Sequence, residues 1–271
     1  MFFLSSVLAC GSVGALRHDS AGDSDTVVDA ARDAGDDVVD AGRAGSCLPI
    51  REGMVAWWPG DGNGADLLGG TPGTLQGNTR FVAGEVGQAF SLDGVNDWID
   101  LGNAPKLRIS STDFSVEAWV LFNSHQGDMS VVDKMSASGV NTDGWRLIKQ
   151  DDDRFWFCFG GGTQNRCTPS DTAFAVYSTT HVVSGLWFHV AAVKSRAGFS
   201  VYVNGVREDS RSAVPHFVDS NTTDLLLGSY AGEGAIAKLD GLIDEVKVFN
   251  RALTDEEVRS AYSAASVGEC R

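Results

Sequence analysis

From residue 47 onward the chain alternates short apolar runs with clusters of Gly, Asn, Asp and Ser. The runs at Met54–Trp58, Gln88–Leu92, Trp98–Leu101, Phe114–Phe122, Ser130–Lys134, Trp145–Lys149, Phe155–Phe159, Phe188–Lys194, Phe199–Val203, Leu225–Leu227 and Leu242–Phe249 read as strands. Turn signals such as Asn204-Gly205 and Asp151-Asp152-Asp153 separate them, the latter as a solvated hairpin tip. Side chains alternate along a strand, so Val116, Ala118 and Val120 are placed on one face and Glu117, Trp119 and Leu121 on the other. Many short strands with almost no helical period predict an all-β, two-sheet antiparallel sandwich. One helix is signalled near the end. Thr254 and Glu257 form a capping box, with Glu257 reaching back to the Thr254 amide, and Val258, Ala261 and Tyr262 then share a face up to about Ala265. This helix is expected to pack on an edge of the sandwich.

Residues 11–46 read differently. They are Ala, Gly and Asp with few large apolar side chains, too little to offset chain entropy by burial, so a disordered acidic tether is expected there. The stretch DAGDDVVDAG within it lacks the register and closing Glu of a calcium-binding loop. Residues 1–10, MFFLSSVLAC, are apolar and end in Cys10. They suit either a bacterial lipobox acylated at Cys10 or a secretory signal remnant, although no Lys or Arg precedes the apolar stretch. Three segments follow: 1–10 as a signal, 11–46 as a linker and 47–271 as the folded domain.

The 271 residues carry a net charge of −15, and the acidic balance argues against nucleic acid and against docking on an anionic membrane. No apolar run is long enough for a spanning helix, so the expected membrane link is the lipid on Cys10. A secreted or envelope protein, either an outer-membrane lipoprotein or a protein of the extracellular surface, is expected to act as a monomer. The five cysteines fit that setting. With Cys10 acylated, four remain. Cys47 and Cys270 bracket the folded region, and Cys158 and Cys167 lie close enough to close a short loop. Free buried thiols are the alternative, and sequence does not fix the pairing.

Gly53-Met54-Val55-Ala56-Trp57-Trp58-Pro59-Gly60-Asp61-Gly62-Asn63 resembles the opening strand of laminin-G-like jelly-roll domains. Gly73-Thr74-Leu75 and Gly87-Gln88-Ala89-Phe90-Ser91-Leu92-Asp93-Gly94 resemble the next two strands, and Phe114–Val120 the central one. Trp187–Ala191 with Val201–Gly205 resembles the later hairpin, and Leu239–Leu253 the closing strand and its exit to the helix. The matches run in order from about Cys47 to Cys270. The resemblance implies a concanavalin A-like jelly roll and is weak on ligand, since fold does not fix function.

That resemblance also implies candidate chemistry. Members of this fold often carry calcium, which takes six to eight oxygens. Asp61, Asn63 and Asp66 in the first loop offer such oxygens, and Asp244 is the closing-strand position brought to them as a structural site. An Asx-rich turn bonded to its own backbone is the competing reading. A carbohydrate site would stack a ring on a sugar and add planar polar groups. Trp98, Trp145 and Trp156 are the candidate platforms, with Asn96, Asp143 and Gln164 as polar partners, against simple core packing for each. Glucanases of this fold use alternating acids on one strand, and the nearest string, Asp240–Glu245, does not present them. Adjacent on a strand, Asp244 and Glu245 are expected to point to opposite faces. His18, His125, His181, His189 and His216 are scattered, and no nucleophile motif is present. The function expected is a non-catalytic module recognising a glycan or glycoprotein. A degenerate or unusual glycan hydrolase and a ligand-free adhesion or envelope protein are the alternatives.

Overall fold

A computed structural model of the chain describes residues 49–108, 113–136, 143–160, 174–212, 222–230 and 237–264. Its strands are β1 (Met54–Trp58), β2 (Thr74–Gln76), β3 (Arg80–Ala83), β4 (Gln88–Asp93), β5 (Trp98–Asp100), β6 (Phe114–Phe122), β7 (Met129–Asp133), β8 (Trp145–Lys149), β9 (Arg154–Phe159), β10 (Ala175–His181), β11 (Trp187–Ser195), β12 (Gly198–Val203), β13 (Val206–Arg211), β14 (Leu226–Leu227) and β15 (Asp240–Phe249). Helix α1 (Asp255–Ala264) follows. The first sheet runs β13-β12-β11-β6-β15-β4-β3, with β1 also paired to β15, and the second runs β10-β9-β8-β7-β14-β5-β2. All described pairings are antiparallel, so the predicted two-sheet sandwich is the one that forms.

Strand alternation sets the layers. β6 sends Val116, Ala118 and Val120 into the core, and β11 sends Phe188, Val190 and Ala192. In the second sheet one row crosses every strand: Leu75, Ile99, Leu227, Val132, Leu147, Phe157 and Val176. Six of these seven belong to the core cluster. Aromatic rings lock the layers together. Phe114 of β6 lies 5.0 Å from Trp145 of β8, and Phe199 of β12 lies 5.1 Å from Phe159 of β9. Each fully buried ring is worth roughly 1.5–3 kcal/mol of transfer free energy.

Along one side the two sheets are stitched by a side chain. β12 and β13 slip register between Val201 and Tyr202, so Glu208 has no partner in the ladder. Its carboxylate instead accepts the amides of Thr179 and Thr180 on β10 at 2.7 and 2.8 Å, together with both threonine hydroxyls.

The helix begins as the sequence predicts. The Thr254 amide donates to Glu257 Oε2 at 2.8 Å, and the Glu257 amide donates to Thr254 Oγ1 at 3.2 Å. Its position differs in part from expectation. α1 lies over the outer face of the first sheet as well as against its end strand β13. Ala191, Val193, Tyr202 and Phe249 form an apolar stripe on that face, and Val258 packs into it.

A second difference lies in β15. Asp244 pairs with Trp119 and Lys247 with Glu117, so three steps on β15 oppose two on β6. Glu245 takes up the extra step at φ 53°. This bulge puts Asp244 and Glu245 on the same outer face, because the core-facing residues on either side are Ile243 and Val246. The opposite-face expectation fails for that reason.

Candidate functional site

The first loop closes without bringing its acids together. Asn63 Oδ1 accepts the Ala65 amide at 2.8 Å, an Asx turn. Asp66 Oδ1 accepts the Trp57 and Leu68 amides, both at 3.0 Å, and its Oδ2 faces the Lys106 ammonium at 2.5 Å. Asp61 and Asp244 hold a different element, the turn between β3 and β4. Asp61 Oδ1 accepts the Gln88 amide at 2.8 Å, and Asp244 Oδ2 accepts the Val86 amide at 2.9 Å. Two glycines permit this close approach: a Cβ on Gly84 would lie 2.5 Å from Asp244 Oδ2, and one on Gly87 would lie 2.5 Å from Asp61 Oδ1. Asp61, Asp66 and Asp244 therefore do not converge, and no group of three such ligands occurs among the described residues. Asp66, the central carboxylate of the expected set, already faces a cation, and the Asn63 oxygen serves its own backbone.

The bulge assembles a buried charged layer under α1 that sequence reasoning missed. Arg51 grips Glu117 with both terminal nitrogens. Lys247 Nζ lies 2.9 Å from Glu245 and 3.9 Å from Glu117, and Trp57 Nε1 donates to Glu245 at 3.1 Å. His189 Nε2 lies 3.9 Å from Glu117, and its ring packs 5.3 Å from Trp119. Glu117 and Glu245 are each 1% exposed, Asp244 0% and His189 2%. Burial alone would raise the Glu117 carboxyl, but the Arg51 and Lys247 charges hold it below its ordinary range. Burial lowers His189 to about 4 against the pull of Glu117. Asp244, whose Oδ1 has no hydrogen-bond partner among the described residues, is raised by burial to about 8. These acids are sealed and carry structure. The legible signal for the layer was the alternation of Glu117 with core residues on β6.

The outer face of the second sheet sorts the predicted tryptophans. Trp145 faces the core, 0% exposed. Trp156 points outward but is 1% exposed, packed 4.8 Å from Tyr177 with Nε1 donating to Asp152 at 3.1 Å. Asp152 also pairs with Arg154 at 2.6 Å, and Asp153 pairs with Lys149 at 2.9 Å, so the turn at 151–153 is an ion-paired one. Neither Trp145 nor Trp156 can receive a ligand ring in this state. Cys158, beside Trp156 on the same outward face, is disulfide-bonded. The other four cysteines (Cys10, Cys47, Cys167 and Cys270) and Gln164 lie outside the described residues.

Trp98 is different. Strand register puts Gln76 beside Trp98, Thr74 and Leu226 beside Asp100, then Asp133 beside Leu226 and Arg146 beside Asp133. On β5, Ile99 faces the core, so Trp98 and Asp100 face out, both half-buried. The Lys238 ammonium sits 3.6 Å over the Trp98 ring and donates to Ser229 Oγ at 2.8 Å. Arg146 pairs with Asp133 at 2.8 Å and stacks over Tyr230 at 3.9 Å. Burial, with the Asp100 charge beside it, raises the Asp224 carboxyl. This half of the sheet offers an aromatic ring bordered by amide, hydroxyl and carboxylate groups. Asn96 is exposed on the neighbouring β4–β5 turn, whereas Asp143 is tied to Ser136 at the β7–β8 connection.

Fold and layers define a two-sheet antiparallel jelly-roll sandwich. A family model described as the concanavalin A-like lectin/glucanases superfamily matches residues 93–259, more than half of the chain, and the chain belongs to that superfamily. Among solved structures it is similar to domain 4 of AbnA, a GH43 extracellular arabinanase from Geobacillus stearothermophilus, in complex with arabinotriose. That match has 22% identity and a TM-score of 0.61, and covers 76% of this chain and 97% of that one. It is also similar to Trypanosoma rangeli sialidase in complex with sialic acid, at 17% identity and a TM-score of 0.60, covering 82% of this chain and 36% of the sialidase. The chain thus spans about a third of the sialidase's length. At these identities the likeness shows the fold alone. A comparison with curated protein sequences gives no match.

Proposed function

We propose that the chain is a non-catalytic glycan-binding module of the cell envelope or extracellular space, held at the membrane by lipid on Cys10. The observation that carries this reading is half-buried Trp98 on the second sheet's outer face, one ring face covered by Lys238, beside Gln76 and in line with Asp100. A ring beside planar polar groups is the arrangement that stacks a sugar face and takes up its hydroxyls. The arabinotriose held by the arabinanase domain and the sialic acid held by the sialidase support a sugar ligand for this fold. Against catalysis by the first sheet's acids stands their placement: Asp244 and Glu117 are sealed beneath α1, the β3–β4 turn and Arg51, where no substrate reaches them.

A glycan array with the wild-type chain and Trp98→Ala tests the reading. Binding by the wild type, lost in the variant at unchanged thermal stability, is the expected result. An array with no hits, or turnover of a β-glucan, would overturn it. Retention of Cys10→Ala at the membrane would remove the lipid anchor from the account.

A further inference from the structure

The first sheet carries an open pocket of about 320 Å³ between the β11–β12 hairpin, β13 and the start of α1. Its apolar lining comes from Val193 and Leu253 on the sheet's outer face, which are 6% and 4% exposed. Ser200, Tyr202, Arg207, Ser210, Arg211 and Asp255 supply the polar lining. The pocket lies within the size range that buries a small molecule.

Its polar groups are linked. Ser200 bonds the Tyr202 hydroxyl, which donates to Asp255 Oδ1 at 2.7 Å. Arg207 meets Asp255 Oδ2 at 3.1 Å, and Arg211 meets Asp209 at 2.7 Å. A guanidinium has five N–H donors and a carboxylate about four lone-pair sites, so Arg207 and Asp255 retain capacity beyond their mutual pair. Both are half-exposed, at 49% and 47%. A donor fork and an acceptor side by side, ringed by serine hydroxyls above an apolar floor, match one kind of ligand. That ligand has adjacent hydroxyls, each of which both donates and accepts, and a C–H face that packs on carbon.

We infer that this pocket binds a single neutral sugar residue through a pair of adjacent hydroxyls held by Arg207 and Asp255. It is a second site, on the opposite sheet from Trp98, and it rests on the glycan-binding reading. Neutral sugar is preferred over acidic sugar because each arginine already faces a carboxylate. An anionic ligand would also meet Asp255 in a chain of net charge −15.

The test is an NMR titration of the full chain with L-arabinose, D-glucose and sialic acid, following backbone amides and indole N–H signals. A neutral sugar should shift the amides of Ser200, Ser210 and Arg211. The same titration should be at least tenfold weaker in Arg207→Ala and in Ser210→Trp, which fills the pocket from an exposed position, and unchanged in Trp98→Ala. Shifts confined to Trp98 and its neighbours, or a response to sialic acid alone, would overturn the inference and leave the glycan-binding reading intact. An array on which the wild type binds no glycan would overturn that reading itself. Matching melting temperatures for both pocket variants show that a lost response is not lost folding.

Discussion

Replacing Glu117 with alanine tests the account of the buried layer under α1. The side chain is 1% exposed, and its partners Arg51 and Lys247 are 11% and 8% exposed, so all three charges sit largely out of water. Removing one partner of such a pair leaves the cations uncompensated, a cost of about 3–5 kcal/mol. For a domain of this size 1 kcal/mol moves Tm by about 2–4 °C, so Glu117→Ala should lower Tm by roughly 6–20 °C. Arg51→Met keeps apolar bulk against Phe249, over which the guanidinium stacks at 4.6 Å, and isolates the charge. A double-mutant cycle of Arg51→Met with Glu117→Gln, read by thermal and urea unfolding, should give a coupling of about 1–3 kcal/mol. If Glu117→Ala melts within about 2 °C of wild type, or the coupling is near zero, the layer is solvated and the reasoning fails.

Two further predictions concern pH and metal. His189 is depressed to about 4, so the stability its neutral ring contributes is present above its ordinary value of 6.5 and is lost as pH falls from there toward 4. Asp244 is raised to about 8, so its contribution is full below 3.8 and is lost as pH rises through 8. An NMR midpoint for His189 near 4, and an Asp244→Asn variant that gains on wild type as pH climbs to 9, are expected. A His189 midpoint near 6.5 would contradict the burial. For the first loop, Lys106→Ala should cost about 3–5 kcal/mol by stranding the fully buried Asp66 carboxylate, while EDTA should leave the wild-type Tm unchanged. A clear drop with EDTA, reversed by calcium, would mean that an ion shares this loop's work.

Where periodicity is strong, sequence and structure agree: Met54–Trp58, Phe114–Phe122 and Trp145–Lys149 coincide with the observed strands. The strands that escaped the pattern are β2, β3, β10 and β13, the four that end the two sheets. An end strand pairs on one side only and needs no continuous apolar face. Arg80-Phe81-Val82-Ala83 and Val206-Arg-Glu-Asp-Ser-Arg211 are accordingly too polar or too short to stand out, and of the four only β2 was marked, through Gly73-Thr74-Leu75 and the family resemblance. The site was less legible for another reason. Trp145 and Trp156 differ in orientation by strand parity, which sequence gives, but access depends on neighbours far along the chain, which it does not. The bulge at Glu245 is similar. One non-glycine residue at positive φ redirects an acid, and nothing local in Ile243-Asp244-Glu245-Val246 announces it.

The Glu208 stitch bears on how the molecule behaves in company. A strand that ends a sheet exposes amides ready to receive a neighbouring chain, and this is a common route to fibrous aggregation. On β10 two of those amides are already satisfied by the Glu208 carboxylate, and a third, that of Tyr177, by Asp209. An incoming strand would have to displace two negative charges to dock there, so copies crowded together on one surface are kept from zipping into one another along this border.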